Sequence, residues 1–162
     1  QDMVSLLNEY FEIMVDIVFR HEGTLDKFIG DGLMAVWGAP VHQDDHFERA
    51  AKAALEMMRA LDDWNRFRIA NNALPITAGA GLNCGELVAG YMGSTSTLSY
   101  TVIGDVVNTA ARLCDRAKPG EILFSTPILE SLEGQLEYET QEPAQLKGIA
   151  KLVPIYRLQK IK

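Results

Sequence analysis

Positive charge is what this chain of 162 residues is short of: 15 lysines and arginines stand against 22 aspartates and glutamates, a formal net charge of −7. A nucleic-acid groove needs a basic face to neutralise phosphates, so the balance argues against nucleic acid as a partner. An anionic small ligand would have to be held by local lysines, arginines or a metal. Cysteine is scarce as well. Cys84 and Cys114 stand alone, without metal-ligand spacing and in apolar surroundings. They read as buried thiols of a reducing, cytoplasmic compartment, and no disulfide is expected. No apolar run approaches the roughly 18 residues that cross a bilayer, so no membrane contact is expected of this stretch. A basic leader segment is missing, and the chain opens at Gln1 without a methionine, as a piece cut from something longer would. Repeats, low-complexity tracts and linkers are absent too, so residues 1–162 are most simply one domain with a core of its own. The glycines of GAGLNCG form no dinucleotide fingerprint, because they fall within a strand and no helix follows. Glycine in a strand more often marks close backbone approach, for which a partner chain is one candidate.

What is present is organised around Thr24 to Gly38, TLDKFIGDGLMAVWG. Apolar residues flank Gly30-Asp31-Gly32 on both sides, and an Asp-Gly pair between two such runs is a strong short-range signal for a β-hairpin. Lys27 in the first strand and Asp31 at the turn break the apolar pattern. Two explanations compete for them. Asp suits turns and Lys snorkels from edges, or both are there for chemistry.

The remaining chain alternates between the two periodicities. Met3, Leu6, Leu7, Tyr10, Met14, Ile17 and Val18 recur at helical spacing, with Gly23 as a stop. A second helix is expected through Phe47, Ala50, Ala54, Met58 and Leu61, capped by Asp44 or Asp45. His42 and His46 with these aspartates make a conceivable metal cluster, although caps and loops collect the same residues for cheaper reasons. Pro75 opens a strand to Leu82, and Glu86 to Met92 follows Gly85. Gly93 to Ser99 reads as a polar loop, and Tyr100 to Ile103 as a short strand. Asp105 is expected to cap a helix that buries Val106, Ala110, Leu113 and Ala117. Asn108 and Arg112 share a different face of it, either as a solvated polar pair or as working residues. A strand at Ile122-Leu123-Phe124, a short helix from Ser125-Thr126-Pro127, a loop at Lys147-Gly148 and a closing strand from Val153 to Leu158 complete the chain. This order predicts an α/β (α+β) sandwich with helices packed on a mixed or antiparallel sheet.

Three stretches taken together carry a resemblance. DKFIGDGLMAVWG, YTVIGDVVNTAAR and LKGIAKLVPIYRL, in that order, resemble the catalytic domain of the class III adenylyl and guanylyl cyclases along nearly the whole chain. The resemblance implies a ferredoxin-like sandwich with a central mixed or antiparallel sheet, and conversion of ATP to 3′,5′-cyclic AMP and pyrophosphate. It implies two ions, Mg2+ or Mn2+, bridged by Asp31. Arg112 would serve the α-phosphate, Asn108 the ribose, and Lys147 the terminal phosphates. Lys27 would read the purine: an ammonium donates but cannot accept, which suits N1 of adenine and not the protonated N1 of guanine. Thr101 stands where animal adenylyl cyclases usually have Asp, as in the bacterial-like subgroup that includes bicarbonate-responsive enzymes. The resemblance also implies a head-to-tail homodimer with sites at the interface, ATP as the small-molecule partner, and a parent protein that could be membrane-anchored.

One element of the family pattern has no counterpart. The family carries a second metal-binding Asp on a strand before its first helix, whereas this sequence opens on that helix, and neither Asp2 nor Asp16 suits the role. A non-catalytic, dimerising nucleotide-binding or regulatory domain is therefore the rival from another class. A guanylyl cyclase is the lesser alternative, disfavoured by Lys27. The Gly-Gly-acidic hairpin of diguanylate cyclases is not present.

Overall fold

The computed structural model of the chain describes residues 2–162, the side chains of Thr97, Ser99 and Tyr100 set aside. Helix α1 (Met3–Arg20) is capped by Asp2, whose carboxylate accepts from the Ser5 amide at 2.8 Å and the Ser5 hydroxyl at 3.2 Å. These bonds hold the Asp2 carboxyl below its ordinary range. Met14, Ile17 and Val18 form its buried side. The helix ends earlier than Gly23 suggests. Glu22 takes the left-handed conformation at φ 60°, and the Gly23 amide donates back to the Val18 carbonyl at 2.8 Å. Gly23 is needed for a different reason: a Cβ there would lie 2.6 Å from the Trp37 ring.

Strands β1 (Thr24–Ile29) and β2 (Gly32–Val36) form the expected antiparallel hairpin, turning through Gly30 and Asp31, with Ile29 opposite Gly32 and Lys27 opposite Met34. The register slips between Leu25 and Lys27, so Asp26 is the extra residue of a β-bulge. Phe28 packs on Phe11 of α1 with ring centroids 4.4 Å apart.

Helix α2 (His46–Ala70) buries Ala51, Ala53, Ala54 and Leu61. Asp45 stands at its N-cap position but makes no side-chain cap bond, because its carboxylate is taken by Arg49 at 2.7 Å. Strand β3 (Ala80–Leu82) is shorter than the run from Pro75 predicts. Asn65 of α2 binds both the amide and the carbonyl of Ile76 at 2.7 Å, so the front of that segment is paired to a helix side chain instead of a strand. Strands β4 (Val88–Ser94) and β5 (Thr97–Ile103) form a second hairpin, paired from Val88–Ile103 to Ser94–Thr97. The polar loop expected over Gly93 to Ser99 is thus mostly strand. Small polar residues signal a turn without setting its length, and Thr95 and Ser96 suffice here.

Helix α3 (Asp105–Arg116) has Gly104, not Asp105, at its N-cap; Asp105 opens the helix, where its charge suits the dipole. Strand β6 (Ile122–Phe124), helix α4 (Thr126–Ser131) and strands β7 (Leu136–Thr140), β8 (Ala144–Gln145), β9 (Leu152–Val153) and β10 (Tyr156–Ile161) follow. The closing strand starts later than expected, since Pro154, which cannot donate to a ladder, separates β9 from β10.

The sheet order is β3-β6-β10-β7, with β3 parallel to β6 and β10 antiparallel to both neighbours. Alternation along β6 divides the core. Ile122 and Phe124 pack with Ala51 and Ala54 of α2, Ile128 and Leu132, whereas Leu123 packs with Leu113 of α3, Leu146 and Ile155. The result is the mixed α+β architecture that the sequence order predicts.

Candidate active site

Lys27 and Thr101 lie 74 residues apart in the chain and meet in space. The Lys27 ammonium donates to the Thr101 hydroxyl at 3.1 Å. The hairpin β1–β2 offers the lysine from its β1 strand, and β5 offers the threonine from beside the buried Val102. Close to this pair lies a residue that the sequence pattern does not single out. Asp26 has a side chain only 1% exposed, and its Oδ2 sits 3.5 Å from the Lys27 Nζ. The only signal in the sequence is that Asp26 is a third charge in a run otherwise read as having two.

Asn108 and Arg112 are carried by α3. The helix lies so close to β3 that a Cβ on Gly81 would meet the Ala110 carbonyl oxygen and the Cys114 amide at 2.4 Å, and one on Gly79 would meet the Ala117 Cβ at 2.7 Å. The strand glycines therefore accommodate a helix of the same chain, and the suggestion that a partner chain approaches them is corrected. With the backbone at Ala110 and Cys114 against β3, Arg112 lies about 200° around the helix from Ala110, on the far side. Its guanidinium faces Asp115 at 3.4 Å. Cys114 itself is exposed and Cys84 only partly buried, so the expectation of two buried thiols is corrected. Asn83 anchors the start of α3 by donating to the Val106 carbonyl at 3.1 Å, and is itself held by the buried Ser125 hydroxyl at 2.5 Å. Asn108 is exposed.

Lys147 is exposed on the segment between β8 and β9, and its neighbours fasten that segment to the protein: Leu146 is buried against Leu113 of α3, with Ile149 beside it. The segment lines an open recess of about 550 Å³. Asp31 is exposed at the hairpin tip beside Gly30, whose φ of 59° is cheap for glycine. Burial is the main cause that raises the pKa of Tyr10 on α1, with Cys114 and then the negative charge of Asp31 adding to it.

Among the described residues no group of three or more His, Cys, Asp or Glu side chains is placed to hold a metal ion. The cluster imagined at His42 to His46 disperses. His42 pairs with Asp44 at 2.9 Å, Asp45 with Arg49, and the His46 ring packs on Phe47. At the hairpin, Asp31 belongs to no such group among the described residues. Neither Asp2, which caps α1, nor Asp16, which pairs with Arg20 at 2.9 Å, joins it. Among the described residues no helix is long and apolar enough to cross a membrane.

A model of the adenylate and guanylate cyclase catalytic domain matches residues 1–160. The chain belongs to this family. Adenylate cyclase 1 of Rhizobium meliloti is 30% identical over 160 residues, 98% of this chain and 24% of that protein. An uncharacterized protein of Mycobacterium tuberculosis is 41% identical over 131 residues, 80% of this chain and 23% of its own length. The chain thus spans about a quarter of the length of the curated relatives it matches. Among solved structures, the adenylyl cyclase CyaB from P. aeruginosa superposes with a TM-score of 0.90 at 27% identity, covering 98% of this chain and 82% of that one. The guanylyl cyclase Cya2 superposes at 0.88 and 33% identity, covering 98% and 81%. Cyclases of both nucleotides therefore stand among the relatives of this cyclase domain.

Proposed function

We propose that this cyclase domain converts ATP to 3′,5′-cyclic AMP and pyrophosphate, in sites formed between two copies of the chain. The observation that carries the choice of ATP is the Lys27–Thr101 pair. The ammonium is a donor only, and the hydroxyl both donates and accepts. Together they suit the adenine edge, where N1 accepts and the amino group donates. A guanine edge, with a protonated N1, would put a donor against the ammonium.

In the reaction the ribose 3′-oxygen bonds to the α-phosphorus, the bond from that phosphorus to the oxygen bridging the α- and β-phosphates breaks so that this oxygen leaves with pyrophosphate, and the 3′-hydroxyl proton passes to solvent. Little of this is covalent work for the protein, so positioning and electrostatics dominate. Arg112 is assigned to the charge that builds on the α-phosphate. Asn108, one turn earlier on the same helix, is assigned to the ribose, and Lys147 to the terminal phosphates. Asp31 would supply one carboxylate to Mg2+ or Mn2+, whose chemistry is to offset phosphate charge.

Assembly is supported by surface that a lone copy leaves unused. Phe28, Ile29, Val88, Met92, Leu98 and Ile103, all on the two hairpins, are exposed. Apolar surface concentrated beside a polar site is the pattern of an interface, and a second copy is the occupant we assign to it. If Asp31 serves one site while Arg112 of the same chain serves the other, mixing Asp31→Ala with Arg112→Ala protein restores part of the activity that each lacks.

The rival is a dimerising domain that binds nucleotide without turning it over, favoured by the absence, among the described residues, of any group of three or more His, Cys, Asp or Glu side chains placed to hold a metal ion. Mass spectrometry of the products, with ATP and GTP supplied in parallel and Mg2+ or Mn2+ added, separates the two. Cyclic AMP formed in excess over cyclic GMP supports the proposal. Cyclic GMP in excess overturns the choice of nucleotide, and nucleotide binding without product favours the rival.

A further inference from the structure

We propose that Asp26 is the positioning residue behind the purine-reading lysine: its buried carboxylate holds the Lys27 ammonium against Thr101, and so sets both affinity and base preference. This inference rests on the assignment of Lys27 to the purine.

Burial of Asp26 is the first ground. Its side chain is 1% exposed, and neither carboxylate oxygen receives a hydrogen bond from the described residues. A carboxylate in that situation is heavily penalised unless a charge compensates it. The compensating charge is Lys27, whose Nζ lies 3.5 Å from Oδ2 while also donating to Thr101. A residue that served the fold alone would be cheaper as an apolar side chain.

Backbone geometry is the second ground. Neighbours in a regular strand point to opposite faces, so residues 26 and 27 should not share a charge contact. The register slip between Leu25 and Lys27 makes Asp26 the bulged residue, and bulges re-aim side chains. Here the bulge lets a carboxylate from the inner side reach the ammonium that its neighbour presents outward. The ammonium is thereby held at two points, by the charge of Asp26 at 3.5 Å and by its hydrogen bond to Thr101 from β5, and it keeps hydrogens free to donate. A lysine otherwise gives up considerable rotamer freedom when it binds, and tethering removes that loss beforehand.

A double-mutant cycle of Asp26→Asn and Lys27→Met tests this through two independent readings. In binding and steady-state kinetics with ATP and GTP, Asp26→Asn is expected to raise the KM for ATP about tenfold with kcat changed far less, and to narrow the preference between the nucleotides. In the Lys27→Met background the same change is expected to do nothing further. In thermal unfolding, Lys27→Met alone leaves the carboxylate uncompensated and should lower Tm by about 5 °C or more, and adding Asp26→Asn should recover most of that loss. Equal effects of Asp26→Asn with and without Lys27 would overturn the proposal. Coupling in stability without any change in KM or preference would overturn the positioning role and leave only a structural pair. A wild-type protein that prefers GTP defeats the ATP assignment separately, since both cycles can then be read with GTP. Should Asp26→Asn fail to fold, the stability loss of Lys27→Met still decides whether the two charges depend on each other.

Discussion

The four-stranded sheet and the two hairpins are built from the same kinds of residue and spend them differently. In β6 every residue of Ile122-Leu123-Phe124 is buried, one face against α2 and the other against α3. In β4 only Gly90 is as much as half-buried, and the outer half of β1 is exposed. None of the proposed site residues lies on the four-stranded sheet. Lys27, Asp31 and Thr101 belong to the hairpins, Asn108 and Arg112 to the helix laid on the sheet, and Lys147 to the segment fastened beside that helix. The difference teaches where each region gets its rigidity. The sheet is stabilised by burial within this chain, whereas the hairpins leave apolar side chains exposed.

That contrast is open to breakage, most severely at its buried side. Phe124→Ala should destabilise the protein by about 3–5 kcal/mol, because a fully buried ring leaves a cavity between α2 and the sheet. Urea unfolding would measure it, and a loss under about 1 kcal/mol would mean that the sheet is not the platform described. At Arg112 the opposite split is expected. Arg112→Ala should lower kcat by about 100-fold to 1,000-fold, the range for removing a donor to a charged transition state. Its ground-state partner is an exposed Asp115, so stability should shift by less than about 0.5 kcal/mol. Gly81→Ala joins the two regions. The new methyl group meets backbone atoms of α3, and about 1–3 kcal/mol of stability should be lost together with activity, as the helix that carries Asn108 and Arg112 is pushed outward.

Smaller effects sharpen the comparison. Leu98→Asp, at an exposed position of β5, should leave unfolding unchanged while cutting activity about tenfold at fixed protein concentration. Sedimentation should show a matching loss of dimer, and activity independent of concentration would count against assembly through this face. Tyr10 offers the mildest test. Burial raises its pKa above the ordinary value of 10.0, so the folded state holds the phenolic proton more tightly than the unfolded chain. The stability this lends is complete below about pH 10 and is lost as pH rises through the folded-state value. Alkaline unfolding should therefore begin at higher pH in Tyr10→Phe.

Legibility of the sequence followed the range of the interaction. The hairpin around Asp31 could be read because two local runs and one Asp-Gly pair specify it. Periodicity located the buried Met14, Ile17 and Val18 of α1 and Leu113 of α3, but overstated both faces: Met3 is exposed, and Val106, Ala110 and Ala117 are only partly buried. The bulge at Asp26 left no signal, since nothing in TLDKFI distinguishes an extra residue from a regular one. The length of β4–β5 was misjudged because Ser and Thr suit a turn and a strand edge alike. Gly79 and Gly81 announced a close approach but not what approaches, which is α3 and not a partner chain. Lys27 and Thr101 could be linked only through family resemblance, as no local rule connects residues 74 positions apart.

By itself, then, the sequence determined the elements, the alternation that buries β6 on both faces, the order of three family motifs and a net charge of −7. Those properties depend on neighbours a few residues apart, where backbone sterics and side-chain periodicity act directly. Only the tertiary structure decided that Lys27 meets Thr101, that Asp26 lies buried beneath them, and that α3 rests on two glycines. Those facts depend on how distant segments share one core, and on a carboxylate whose cost in isolation is met by a lysine brought to it through a bulge.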